Sequence, residues 1–431
     1  MVKLIIVGFI FLVTSCSSER ILFFNGFASH SHLVAMEPLA HKLSDGGHEV
    51  TILTPMNPSY KHPNITYYCP EAVRAAQDDL NSGSVIAIQS RIESKYNDYF
   101  LQTGFLFEGQ FQICRKYYES SEFKDWITKS HFHLLILDSV AKECGLPLVH
   151  IFKAKSIIFS PHTVLGFDAD TYGWPADSSG TLVAEEHPII PDSFQNEKQS
   201  LLWFYAKMSI IVPRYENFIR QEMKLDDMPS LVDLERQTSL MLLNTHFSYE
   251  IARSLPPFVI PNGGIHCKES QGLENGSIKT AIDDPEFEGF VYVSFGSYAQ
   301  VSTAPSEFVQ NFFQAFKHFP RLKFLWKWEG DLPEISHLKN IFFHKWFPQQ
   351  DVLAHRRCKG FITHGGLMSF QHSIFHAVPV IVIPFFGDQP INARLANYNG
   401  IGIHLEPSEL TEISLRDAIQ ELVYTDKYAE Y

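Results

Sequence analysis

The sequence predicts an α/β protein made of two Rossmann-like domains, and three observations carry that prediction. Residues 20–53 read as a β-α-β unit. A second series of short apolar strands, alternating with helical stretches, begins at Phe290. Between the two, residues 269–286 have a linker's composition, with glycines and the run Asp283-Asp284-Pro285. A chain of 431 residues that is 45% hydrophobic and 19% charged can fill two cores, and its composition is not that of a disordered polymer.

In the first domain (19–268), Arg20 to Asn25 forms the opening strand. Leu33, Met36, Leu39, Ala40 and Leu43 then fall at helical spacing, Gly46-Gly47 stops the helix, and His48 to Leu53 is the next strand. His32 therefore stands at a helix start just outside a strand end, where an imidazole can serve as a general base or merely cap the helix. A helical pattern runs from Phe105 to Tyr118. His133 to Asp138 is a buried strand that ends in a carboxylate, which at a strand end often only caps the next helix. Residues 168–195 read as a long loop. The Asp168-Ala169-Asp170 triplet lies at its start and not at a strand end, so no metal site is expected there. Ser239 to Asn244 is a further strand, and Val259 to Gly264 closes this domain.

The second domain (287–431) opens with Phe290 to Phe295 followed by Gly296-Ser297, which puts an N–H and a hydroxyl at the sheet edge. Strands at Phe324–Trp328 and Ile341–Phe343 lead to Trp346, Pro348 and Gln349. Gly360 to Thr363 is a further strand, and His364-Gly365-Gly366 then opens a helix. A glycine-rich turn at a helix start offers free backbone N–H groups and the positive end of the dipole, which suits an anion. His364 and Ser369 add side-chain donors. Pro379 to Pro384 is another buried strand, delivering Asp388 and Gln389 to the sheet's C-terminal edge, a place suited to a polyhydroxylated ligand. Gly402 to Leu405 and a helix from about Leu415 to Val423 complete the pattern.

Several classes are excluded. A net charge of −13 argues against nucleic acid, and no basic amphipathic run marks a membrane-surface helix. Met1 to Ser18 reads as a secretory signal peptide (1–18), and no later apolar run is long enough to anchor the chain. Asn64-Ile65-Thr66 and Asn275-Gly276-Ser277 are glycosylation sequons. Cys16 would leave with the signal. The remaining Cys69, Cys114, Cys144, Cys267 and Cys358 show neither a disulfide framework nor a zinc spacing, so buried thiols with at most one or two bridges are expected.

The ordered series Trp346, Pro348-Gln349, His364-Gly365-Gly366, Ser369, Pro379, Asp388-Gln389 resembles the nucleotide-sugar signature of the UDP-glycosyltransferase family, the animal glucosyl- and glucuronosyltransferases. The resemblance implies that Trp346 stacks on uracil and Gln349 binds the nucleoside. It implies that His364, Gly365 and Gly366 hold the diphosphate with Gly296-Ser297 nearby, and that Asp388 and Gln389 read the sugar hydroxyls. Ser31-His32 followed by EPLAHKLSDGGHEVTIL is similar to the family's N-terminal segment, whose histidine deprotonates the acceptor. His30 is the alternative, but the spacing to Glu37-Pro38-Leu39 favours His32. SVAKECGLPLVHIFKAKSIIFSPH after Asp138 resembles the insect-type branch, in which that aspartate orients the histidine. One position departs: eight residues past the motif's histidine the family carries a glutamate for the ribose, and here stands His372.

By the same resemblance the two domains face each other in the GT-B glycosyltransferase architecture. The implied activity is inverting, metal-independent transfer of a hexose, glucose or glucuronic acid, from a UDP-sugar to a hydroxyl of a small lipophilic acceptor. UDP-sugar and acceptor are then the partners, with no cofactor, and the expected location is the endoplasmic reticulum lumen or the exterior. His372, and the lack of the crossover helix and membrane span with which family chains normally continue, keep a second reading open: a lumenal or secreted binding protein without turnover, or a truncated product. The sequence leaves the oligomeric state undetermined.

Overall fold

A computed structural model describes the chain except residues 1–17, 27–28, 57–60, 76–87, 94–98, 163–170, 175–203, 251–253, 298, 333–337 and 429–431. The expected signal peptide, Cys16, the Asp168-Ala169-Asp170 triplet and most of the 168–195 loop lie outside the described residues. The first sheet contains β1 (Arg20–Phe24), β2 (Glu49–Leu53), β3 (Ile65–Tyr68), β4 (Leu134–Asp138), β5 (Lys155–Ser160), β6 (Leu240–Leu243) and β7 (Val259–Pro261). Its order is β3-β2-β1-β4-β5-β6-β7, with every pairing parallel. The second contains β8 (Gly289–Ser294), β9 (Leu322–Lys327), β10 (Ile341–His344), β11 (Cys358–Thr363), β12 (Val380–Val382) and β13 (Gly402–His404). It is also parallel throughout, in the order β10-β9-β8-β11-β12-β13.

Helices cover both faces of each sheet, so the strands are near-continuous apolar runs and not alternating ones. Ile21 to Phe24 of β1 and all six residues of β8 are buried. In the second domain α4 (Ser306–Lys317) lays Phe308, Phe312, Phe313 and Phe316 into the core that holds Trp326. Each fully buried ring of this kind contributes about 1.5–3 kcal/mol. A short helical stretch at 88–92 belongs to the first half of the chain but packs Ile88 into that second core, and Arg91 pairs there with Glu406 at 2.8 Å. The expected linker is partly structured: Ser277–Asp283 is helical and buries Ala281 and Ile282.

Two boundaries differ from expectation for local reasons. Helix α1 (His30–Asp45) starts before the apolar pattern does, which places His32 in its first turn. Strand β7 takes up Val259–Pro261 of the segment that closes the first domain, and Gly264 then turns the chain at φ +77°. The final helix, α8 (Glu412–Tyr424), begins three residues early because Thr411 and Ser414 form a reciprocal cap. One disulfide, Cys114–Cys144, joins α2 (Tyr99–Glu119) to α3 (Lys142–Phe152), while Cys69, Cys267 and Cys358 are free thiols. Closing a segment 30 residues long contributes about 3–4 kcal/mol in the chain-entropy account. The sequon residues Asn64 and Asn275 are both exposed. Among the described residues no helix is long and apolar enough to cross a membrane.

Glu37 on α1 has a buried carboxylate oxygen without a hydrogen-bond partner, and burial raises its pKa to about 7 from an ordinary 4.5. The folded protein thus holds a proton there that the unfolded chain releases. The stability it contributes is full below pH 4.5 and lost as pH rises towards 7. Water reaches part of the side chain, so we expect a loss of about 1–2 kcal/mol and not the full shift. Urea unfolding at pH 5 and pH 8 checks this: Glu37→Gln should lose less stability than wild type across that interval.

Candidate active site

Strand order decides where a site can form. In both sheets the order reverses beside the first strand of the domain, between β1 and β4 and between β8 and β11. Connections leave in opposite directions at such a switch point, opening a crevice at the strands' C-terminal ends. His32 lies on α1, which follows β1, and Asp138 ends β4. Gly296 follows β8 and His364 follows β11. These four residues therefore lie at two switch points, one per domain.

At the first, His32 Nδ1 lies 2.8 Å from Asp138 Oδ2, and Asp138 is 0% exposed. The other oxygen, Oδ1, accepts from the Val140 backbone N–H at 2.9 Å. A carboxylate acceptor fixes the hydrogen on Nδ1, which leaves Nε2 of the imidazole to accept a proton. His30 takes a different direction: its ring meets the edge of Trp346, 5.8 Å between centroids, in the opposite domain. Burial, and secondarily the charge of Lys327, lower the His30 pKa. A residue the sequence analysis did not single out, His162, has its ring 6.3 Å from that of His32. Ser139 and Ser160 hydroxyls lie within 3.4 Å of its nitrogens.

At the second switch point, α6 (Leu367–Phe375) begins directly after Gly366. Gly365 sits at φ +82° with Val382 where a Cβ would go. Gly296 and Gly366 close on the His364 ring: a Cβ on either would come within 2.7 Å of it. Burial, aided by Lys327, pushes the His364 pKa down to about 3, so it meets an anion as a neutral hydrogen-bonding ring and not as a cation. The cation at this place is Lys327, the last residue of β9. Its Nζ donates to the Gly296 carbonyl at 2.8 Å, pairs with Glu329, and lies 5.6 Å from the Trp346 ring. The sequence signal was present as the second lysine of the strand LKFLWK, which reads as an ordinary strand end until β9 is placed beside β8.

Trp346 is 52% exposed, a large ring left open for stacking, and Ser297 is exposed as well. Gln349, the first residue of α5 (Gln349–Leu353), brings Nε2 to 3.1 Å from Ser369 Oγ and 2.9 Å from His372 Nδ1, joining three of the expected UDP-sugar-binding residues. Asp388 and Gln389 are partly engaged within the protein. Asp388 Oδ2 accepts from the Leu367 N–H (2.9 Å) and Asn392 Nδ2 (3.0 Å), so it caps α6; burial raises its pKa against those bonds. Gln389, at the start of α7 (Gln389–Tyr398), uses Oε1 to accept from the N–H groups of Phe385 and Phe386, leaving its Nε2 side for a ligand. Among the described residues one group could hold a metal ion, His266, Cys267 and His372. No sequence spacing announced it, since its third member is over a hundred residues from the first two.

If the phosphate-bearing ligand lies against this cradle, Lys327→Met should weaken UDP binding. Glu329 and the Gly296 carbonyl already offset part of the lysine's charge, so we expect a three- to tenfold loss, on the order of 1 kcal/mol. Calorimetry with UDP at two salt concentrations checks both the loss and a smaller salt dependence in the variant.

Two parallel-sheet domains, each with a crevice at its switch point, have the GT-B architecture. Solved structures agree in fold: the crystal structure of the "Glycotransferase of kitacinnamycin" superposes with a TM-score of 0.60 at 19% identity, covering 96% of this chain and 93% of that one. Residues 22–431 match the family described as UDP-glucoronosyl and UDP-glucosyl transferase, and the chain belongs to that family. It is 30% identical to the UDP-glycosyltransferase UGT5 of Dactylopius coccus, over 94% of this chain and 76% of the relative. It is 27% identical to the UDP-glucuronosyltransferase 1A7 of Mus musculus, over 93% of this chain and 76% of that protein. The chain is therefore a glycosyltransferase that uses a UDP-sugar.

Proposed function

We propose that this enzyme transfers glucose or glucuronic acid from its UDP-sugar to a hydroxyl of a small lipophilic acceptor, with inversion at the anomeric carbon and without a metal. The observation that carries the reading is the 2.8 Å contact between His32 and a fully buried Asp138 at the crevice. The acceptor oxygen attacks the anomeric carbon, the bond from that carbon to the UDP oxygen breaks, and the acceptor's proton passes to His32 Nε2. Asp138 stabilises the imidazolium as it forms. Charge growing on the leaving diphosphate is met by the N–H groups around Gly365-Gly366, by Ser297 and by Lys327. A secretory location is part of the same proposal, supported by the signal-like residues 1–18 and the two exposed sequons.

The test is incubation of the purified protein with UDP-glucose and UDP-glucuronic acid against a panel of phenols and steroids. The expected product is a β-glycoside from the α-linked donor. An α-glycoside would exclude inversion, and UDP binding without product from any pair would leave a nucleotide-binding protein in place of the enzyme proposed.

A further inference from the structure

We propose that His266, Cys267 and His372 form a site for one thiophilic divalent cation, Zn²⁺ being the best match, that ties the end of the first domain to the donor-binding helix of the second. One ligand-capable atom from each residue lies within 4.8 Å of the other two. Cys267 Sγ is 4.0 Å from His266 Nε2, and the two imidazole rings are 4.7 Å apart between centroids. In a tetrahedral zinc site, bonds of about 2.0 Å to nitrogen and 2.3 Å to sulfur set ligand atoms roughly 3.3–3.5 Å from one another. Side-chain shifts of about 1 Å therefore close the group around an ion.

One buried nitrogen, Nε2 of His372, points to a missing ligand. His266 and His372 are 5% and 8% exposed, yet His372 Nε2 has no hydrogen-bond partner. Buried imidazole nitrogens are normally satisfied, and a metal ion is one way to satisfy them. For His372 the opposite nitrogen already has the kind of contact that orients a ligating histidine, whereas the His266 nitrogen that faces Cys267 is Nε2, which must leave the Met368 carbonyl to take the ion. His266 Nε2 is 3.3 Å from the Met368 carbonyl, and His372 Nδ1 is 2.9 Å from the Gln349 side-chain amide. With metal on Nε2 of His372, its Nδ1–H donates to Gln349 once that amide flips to present its oxygen. The backbone is held in place without the ion, since Gln350 Nε2 donates to the His266 carbonyl (3.2 Å) and its Oε1 accepts from the Lys268 N–H (2.7 Å).

The donor set selects the ion. Two imidazoles and a thiolate, with no carboxylate, suit Zn²⁺ and disfavour Mg²⁺ and Ca²⁺. The thiol is protonated before binding, because burial pushes Cys267 up to about 12, so the cation displaces one proton to solvent as the metal–sulfur bond forms. Three protein ligands leave a fourth position for water. The inference does not rest on the proposed transfer reaction; a protein without turnover would hold the same ion.

The experiment uses the full mature chain, stripped with a chelator and titrated with Zn²⁺ against a chromophoric competitor. We expect one equivalent bound at micromolar affinity or tighter, at least tenfold weaker binding in Cys267→Ala and His266→Ala, and unchanged binding in Cys358→Ala. Cobalt substitution should give a thiolate-to-metal charge-transfer band that Cys267→Ala abolishes. Should that variant fail to fold, protection of Cys267 from alkylation by Zn²⁺ in the wild type, read by mass spectrometry, decides in its place. No stoichiometric binding, binding indifferent to Cys267→Ala, a cobalt spectrum without the sulfur band, or alkylation of Cys267 unaffected by Zn²⁺ would each overturn the proposal.

Discussion

His32→Ala is expected to lower turnover by about 10²–10⁴-fold while UDP affinity stays near wild type. The separation follows from position: His32 belongs to the first switch point and touches Asp138, whereas the nucleotide cradle is built from β8, β9, β11 and α6. Asp138→Asn should also impair turnover. An amide can hold the ring, but it carries no charge to stabilise the imidazolium, and its NH₂ can select the wrong tautomer. His30→Ala is the control. That ring contacts Trp346, so its loss should disturb donor binding more than chemistry. Turnover retained in His32→Ala and lost in His30→Ala would assign the base to the wrong histidine. Single-turnover rates alongside calorimetry with UDP distinguish these outcomes.

The fold was legible because parallel strands buried on both faces leave continuous apolar runs, and Arg20–Phe24, Leu134–Asp138 and Gly289–Ser294 stand out against polar surroundings. What periodicity missed were the polar devices at element ends, such as the Thr411–Ser414 cap. The site was legible only in part. Alone, His32 and Asp138 each had an ordinary structural explanation. Their contact spans 106 residues and exists because β1 and β4 are neighbours across the switch point. The motif residues from Trp346 to Gln389 were readable because they lie within one short stretch. Lys327 and His162 were not, since each becomes part of the site through strand adjacency or domain facing. The bond from Leu367 to Asp388 was hidden for the same reason: nothing local in the sequence says that this carboxylate closes on the helix start of α6.

His372→Glu is expected to tighten UDP binding about ten- to a hundredfold. The family resemblance places a glutamate here to accept ribose hydroxyls. His372 is kept neutral by burial and by the neighbouring His266 and His376, which hold its pKa well below the ordinary value. A neutral imidazole has a single acceptor nitrogen. The acceptor side, Nδ1, already faces Gln349 Nε2 at 2.9 Å, which leaves no lone pair for a ribose hydroxyl. A glutamate in its place can take the Gln349 bond on one oxygen and keep the other for the ribose. Such a charge-assisted bond is worth about 1.5–3 kcal/mol, and each 1.4 kcal/mol is a factor of ten. The opposing cost is that of burying a carboxylate. His266, whose pKa burial holds at about 4, lies against the same position and can take up a proton beside the new charge, which reduces that cost. Calorimetry with UDP in the presence of a chelator, which keeps metal ions off His266 and Cys267, gives the comparison. Equal or weaker binding by the glutamate variant would show that this enzyme holds the ribose through groups other than those on α6.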